Sequence, residues 1–91
     1  MKPHARSELN QAVLLELLGL DETAFKQRFA RTPILRTKRR GLLRNVCIAL
    51  GNVGDADALP ALARAAADCE PLIAEHARWA IDEINTRVTK P

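Results

Sequence analysis

The sequence predicts an all-α protein, and three features of its 91 residues carry that expectation. Apolar residues make up 47% of the chain, and almost all of them are Ala, Leu, Ile and Val. The aromatics are Phe25, Phe29 and Trp79 alone, and tyrosine is absent. Strands favour β-branched and aromatic side chains, whereas Ala and Leu are strong helix formers. Apolar positions also recur at helical spacing over most of the chain, the pattern of helices with one buried face.

Each helix has recognisable punctuation. Ser7 is placed to cap a first helix whose apolar face is Leu9, Val13, Leu14, Leu17 and Leu18, with Gly19 as its stop. Asp21 caps a second, with Phe25 and Phe29 one turn apart. Thr32-Pro33 reads as an N-cap followed by proline at the first helical position. That third helix either breaks at Gly41 or runs through it, and the residues leave both open. Beyond it Leu43, Val46, Cys47 and Leu50 form an apolar face that ends at Gly51-Asn52. Asp55 or Asp57 opens the next helix, with Pro60 in its first turn and Leu59, Leu62 and Ala66 inward. Pro71 opens the last, where Ile73, Ala77, Ala80, Ile81 and Ile84 share a face.

An internal repeat turns these helices into an architecture. Leu43–Val53 lies over Ala74–Ile84 at an offset of 31 residues, matching Val46 with Ala77, Ile48 with Trp79, and Leu50 with Ile81. On that register Trp79 is a core residue. The segment between supplies the outer helix of a helical pair. Two such units predict an α-solenoid of about two HEAT-like helix pairs plus an N-terminal helix. The expected bounds are a flexible segment 1–6, the repeat domain 7–87 and a flexible tail 88–91. This length supports one core.

Charge supplies the functional signal. Eight of the fourteen basic residues lie between Lys26 and Arg44, and no acid occurs from Thr23 through Gly54. The net charge of +3 conceals this concentration. Crowded like charges imply an anionic partner, and nucleic acid is the first candidate. On a continuous helix Arg36, Arg40 and Arg44 would stand one turn apart, a repulsion of roughly 0.2–0.5 kcal/mol per pair that an external anion would relieve. Lys38, Arg39, Arg40 and Arg36 are the expected phosphate contacts, with Arg31 and Arg44 flanking. Arg44 has a competing role, since an arginine at this place in a HEAT-like repeat ties a loop aspartate, here Asp68. Asn45 either contacts RNA or caps a neighbouring helix. With Trp79 assigned to the core, base stacking is not expected as the main binding mode.

Other function classes are disfavoured. No run of about 18 apolar residues spans a bilayer, and Met-Lys-Pro-His-Ala-Arg is not followed by the apolar core of a signal peptide. Cys47 and Cys69 form neither a disulfide framework nor a metal cluster, which suits the reducing cytoplasm. Cys47 reads as a buried small hydrophobe and Cys69 as an exposed thiol. No nucleophile–base arrangement or phosphate loop is present, and the four acids from Asp55 to Glu70 are explained by caps and turns. His76 reads as a surface or satisfied histidine. The chain alone is therefore expected to be non-catalytic, without a metal site.

The residues also resemble a known family. Thr32-Pro33, Arg36, Lys38-Arg39-Arg40-Gly41, Leu43-Arg44-Asn45 and Ala49-Leu50-Gly51-Asn52 are similar to the C-terminal HEAT-like domain of epoxyqueuosine reductases. So are Leu14-Leu15-Glu16-Leu17, Asp21-Glu22 with Phe25, and Glu75-His76-Ala77-Arg78-Trp79-Ala80. The similarity covers roughly His4 to Ile84. It implies an oxidoreductase parent that completes queuosine synthesis by reducing epoxyqueuosine in the tRNA anticodon loop. The parent carries cobalamin and two [4Fe–4S] clusters outside this segment, and those parts are missing here. The implied partners are the anticodon stem-loop and the parent's catalytic domains, with no membrane. The implied role is to position the anticodon-loop nucleoside. The alternative is a HEAT-like protein-interaction scaffold facing an acidic surface; a helper of the bilin-lyase kind is not suggested by the basic run.

Overall fold

The computed structural model describes residues 3–89, with side chains described from Gln11 to Val88. Five helices follow in order: α1 (Pro3–Leu18), α2 (Glu22–Arg28), α3 (Ile34–Val53), α4 (Leu59–Ala66) and α5 (Pro71–Thr89), with a 3₁₀ turn at Ala56–Ala58 before α4. Among the described residues there is no strand, as the composition predicts.

The helices form two layers in a slab 16 Å thick. α3 and α5 lie side by side and run in the same direction. At one end Arg39 reaches Asp68, just ahead of α5. At the other, Arg87 donates to the carbonyls of Gly51 at 2.7 Å and Gly54 at 2.6 Å. α1 runs opposite to α3. Gln11 exchanges hydrogen bonds with Asp55 beyond the end of α3, while Leu20 offers its carbonyl to Arg39 near the start. α4 runs back against α5 and touches α1, completing the second layer.

One apolar cluster fills the space between the layers. Leu43, Val46, Cys47 and Leu50 of α3 meet Leu62 and Ala65 of α4, Ile73, Ala77, Ala80 and Ile84 of α5, and Leu18 of α1. No polar side chain is buried among the described residues. The register differs from the expected one. Burial on α5 falls at Ile73, Ala74, Ala77, Ala80 and Ile84; Ala74 keeps the offset of 31 from Leu43, but Ile73, Ala77, Ala80 and Ile84 follow Leu43, Cys47, Leu50 and Gly54 one residue earlier. Ile81 is partly buried beside the core, and Trp79 stands 38% exposed rather than inside.

Side-chain caps mark the starts of α2 and of the 3₁₀ turn. Asp21 accepts from the Ala24 amide at 2.8 Å, and Asp55 accepts from the Asp57 amide at 3.0 Å. Three expectations are corrected. α1 begins at Pro3, so Ser7 lies within the helix rather than at its cap. Thr32 does not cap α3; its hydroxyl donates back to the Phe29 carbonyl at 3.1 Å, and the helix opens after Pro33. α3 continues through Gly51-Asn52 to Val53, where the Gly54 amide closes the last turn on Leu50.

Candidate nucleic-acid interface

The basic run folds around a kink at Lys38 rather than at Gly41. Lys38 adopts φ 66° and ψ 160°, while the residues on either side are helical. This is a region that glycine occupies freely and a side chain does not, at a cost of order 1–3 kcal/mol. Gly41 stays helical. Its missing Cβ leaves room for Thr37, whose methyl would stand 2.8 Å away. The kink separates Arg36 from Arg40 and Arg44, so the continuous three-arginine stripe is broken into a short segment and a pair.

The break also turns neighbouring charges in different directions. Arg39 points inward, its side chain 13% exposed. Its guanidinium donates through both terminal nitrogens to Asp68 and through Nε to the Leu20 carbonyl at 2.7 Å. Hydrogen bonding to Arg39 holds the Asp68 carboxyl below the usual aspartate range, against the opposing effect of its burial. The arginine that ties Asp68 is therefore Arg39, and Arg44 does not. Arg44 instead places its Nε 3.3 Å from Asn45 Oδ1.

Arg31, Arg36, Lys38 and Arg40 are exposed. None of the four forms an ion pair among the described residues. Lys38 and Arg40 meet Lys26 of α2 around an open groove of about 670 Å³, whose floor includes Phe25 and Leu35. Folding also brings Glu22 and Glu70 to this rim. The acid-free run in the sequence is thus not an acid-free surface.

Arg40, Arg44 and Ile48 follow one another at intervals of four residues along α3. They lead from the groove toward Trp79, which with Ile48, Glu75 and His76 borders a second, shallower depression of about 570 Å³. His76 Nδ1 lies 2.8 Å from the Leu72 carbonyl. A carbonyl only accepts, so Nδ1 carries the proton and the ring is satisfied on that side. Trp79 is the feature that periodicity misassigned. The signal that could have found it is Gly51: a Cβ there would fall 2.4 Å from Trp79 Cζ3, so the indole lies over α3 where the helix has no side chain.

The cysteines are separate. Cys47 is buried, and desolvation pushes its thiol up to about 11, which leaves it inert at neutral pH; Cys69 is exposed. A [4Fe–4S] cluster takes four thiolates. Two cysteines so placed do not fit one, and no chemical step is assigned to a cluster in this chain. Among the described residues no helix is long and apolar enough to cross a membrane.

The chain is 38% identical over 78 residues to an epoxyqueuosine reductase of Xanthomonas campestris, a match covering 85% of this chain and 22% of that protein. Epoxyqueuosine reductases of Shewanella oneidensis and Alicycliphilus denitrificans are 37% and 38% identical over 81 and 85 residues, covering 21% and 24% of their lengths. This chain is related to the epoxyqueuosine reductases. It spans between a fifth and a quarter of the length of these curated relatives. No family model matches the chain, and no solved structure matches it.

Proposed function

We propose that this chain is a HEAT-like RNA-gripping unit of an epoxyqueuosine-reductase system, holding the tRNA anticodon stem-loop by its phosphates. The observation that carries the reading is the outward set Arg31, Arg36, Lys38 and Arg40, without an ion pair among the described residues, of which Lys38 and Arg40 meet Lys26 at the kink of α3. Arg44 and Asn45 extend it along the helix. Arg39, which sequence alone placed on the phosphates, serves this surface by fixing the helix that carries it. Contacts of this kind orient RNA by shape and backbone and do not read its sequence. The unit would present the anticodon-loop nucleoside to catalytic parts of the parent protein. Cobalamin and the iron–sulfur clusters belong to those parts in this reading, and the setting is cytoplasmic.

Titration of the chain with a queuosine-acceptor tRNA over a range of salt tests this. Four to six neutralised phosphates give a slope of log affinity against log salt of about −3 to −5. The affinity is expected in the range of roughly 10⁻⁴ to 10⁻⁶ M. Changing Arg36, Lys38 and Arg40 together to Ala should flatten the slope by about 0.7–0.9 per residue lost. Unfolding should move by less than about 0.5 kcal/mol per residue. A salt-independent response, or equal binding to an unrelated acidic protein, would favour the scaffold alternative.

A further inference from the structure

The chain has one tryptophan, and this structure leaves it open to solvent. The six-membered ring of Trp79 lies against Gly51, with Cζ3, Cη2 and Cε3 all within 3.1 Å of where a Cβ at Gly51 would stand. Gly51 of α3 thus meets the outer edge of the six-membered ring, while the residue remains 38% exposed beside Ile48. Isolated exposed apolar side chains are ordinary. The neighbours of this one are not. Arg40 and Arg44 lead to Ile48 over about 12 Å of helix axis, so a cationic track ends at an aromatic ring. Glu75 and His76 border the same depression. Glu75 accepts only, and His76 gives its Nδ1–H to the Leu72 carbonyl.

We propose that Trp79 is a stacking platform for one unpaired RNA base, with Ile48 at its side and Arg40 and Arg44 holding the adjoining phosphates. The proposal rests on the RNA-binding reading above and sharpens it: this end of the surface takes a single-stranded loop nucleotide, not a helical stem. Bases inside a duplex are covered by their neighbours, whereas an unpaired base offers its face to an aromatic ring. The acceptor beside the ring chooses among bases. A carboxylate at Glu75 matches an edge with two adjacent N–H donors, as guanine presents, and opposes edges rich in acceptors.

Because Trp79 is the sole tryptophan and tyrosine is absent, its fluorescence reports this site directly. The intact chain is titrated with seven-nucleotide single-stranded RNAs, one all-uridine and one with a central guanosine, and with a blunt RNA duplex. Anisotropy of labelled RNA gives an independent measure of binding. The single strands should quench Trp79 emission, the guanosine strand binding more tightly, while the duplex binds without quenching. Trp79→Leu should weaken single-strand binding about tenfold and leave duplex binding unchanged. Glu75→Gln should erase the guanosine preference. RNA binding seen by anisotropy with no change in Trp79 emission would overturn the platform and leave the phosphate-gripping reading intact. Absence of binding to any RNA would overturn both. Emission that responds to an acidic protein and not to RNA would assign the ring to a protein partner instead. Quenching in the unaltered chain decides the question even where a variant fails to fold.

Discussion

Asp68 receives both terminal nitrogens of Arg39 across 29 residues of sequence, tying the entrance of α5 to the kinked segment of α3. The same aspartate accepts from the Glu70 amide at 2.9 Å, so one carboxylate fixes both the α4–α5 turn and the neighbouring helix. This explains why three consecutive basic residues do different work. The inward one anchors the helix, and the outward two remain available to an anion.

Breaking that tie should cost stability in a way that losing Lys38 or Arg40 does not. The two side chains are 13% and 14% exposed, so removing one partner strands a largely desolvated charge. Arg39→Ala and Asp68→Ala are each expected to lose about 2–4 kcal/mol in urea unfolding, just below the loss seen for fully buried pairs. Lys38→Ala should lose no comparable amount.

The pair also sets an acid limit. The Asp68 carboxyl is lowered in the folded state, chiefly by the hydrogen bond from Arg39. Its contribution is therefore complete above the unfolded aspartate value of about 3.9 and drains away as pH falls through the lower folded value. Asp68→Asn should flatten the pH dependence of stability in that acid window while leaving the neutral region level. An acid limb as steep as in the parent chain would mean that another carboxylate dominates it.

Lys38 gives a prediction in which binding and folding move oppositely. Its positive φ is strained for a side chain, and glycine removes that strain at a smaller entropic cost of roughly 0.5–1 kcal/mol. Lys38→Gly should hold or raise stability by up to about 1 kcal/mol and still weaken RNA binding, since one cation is gone. A clear loss of stability would show that the kink is not strained.

What the sequence disclosed, and what it hid, divides along physical lines. The helices were legible because their apolar faces are periodic and Asp21, Asp55 and Pro71 mark their starts. The kink was not, because Gly41 is the obvious breaker and nothing local marks Lys38 as the residue that takes positive φ. Arg39, Arg40 and Arg44 are alike as letters; only the position of Asp68 in space selects which one turns inward. Trp79 was misjudged for a related reason. On helices packed side by side, an apolar residue at the seam can point away from the core and still be periodic.

The corrected register makes a graded test of the core. Leu50 is fully buried, whereas Ile81 is only partly buried beside the cluster. Leu50→Ala should cost about 2–5 kcal/mol, a large share of the stability of so small a domain. Ile81→Ala should cost distinctly less, and Arg78→Ala, exposed on the same helix, least of all. Equal losses at Leu50 and Ile81 would restore the offset of 31 residues and bring the matching residue Trp79 back toward the interior.

Gly51→Ala examines the seat of the indole without touching any charge. The added methyl would fall 2.4 Å from Trp79 Cζ3, closer than two carbons can stand, and the helical backbone of α3 cannot retreat without disturbing Leu50 beside it. The ring must therefore swing outward. Overpacking of this kind costs typically about 1–3 kcal/mol, toward the lower end where the displaced group borders solvent. The expected signature is a red-shifted Trp79 emission together with a modest loss of stability, readable because no other residue contributes indole fluorescence. Unchanged emission would mean that the indole does not rest on Gly51, and the open face assigned to Trp79 would have to be redrawn.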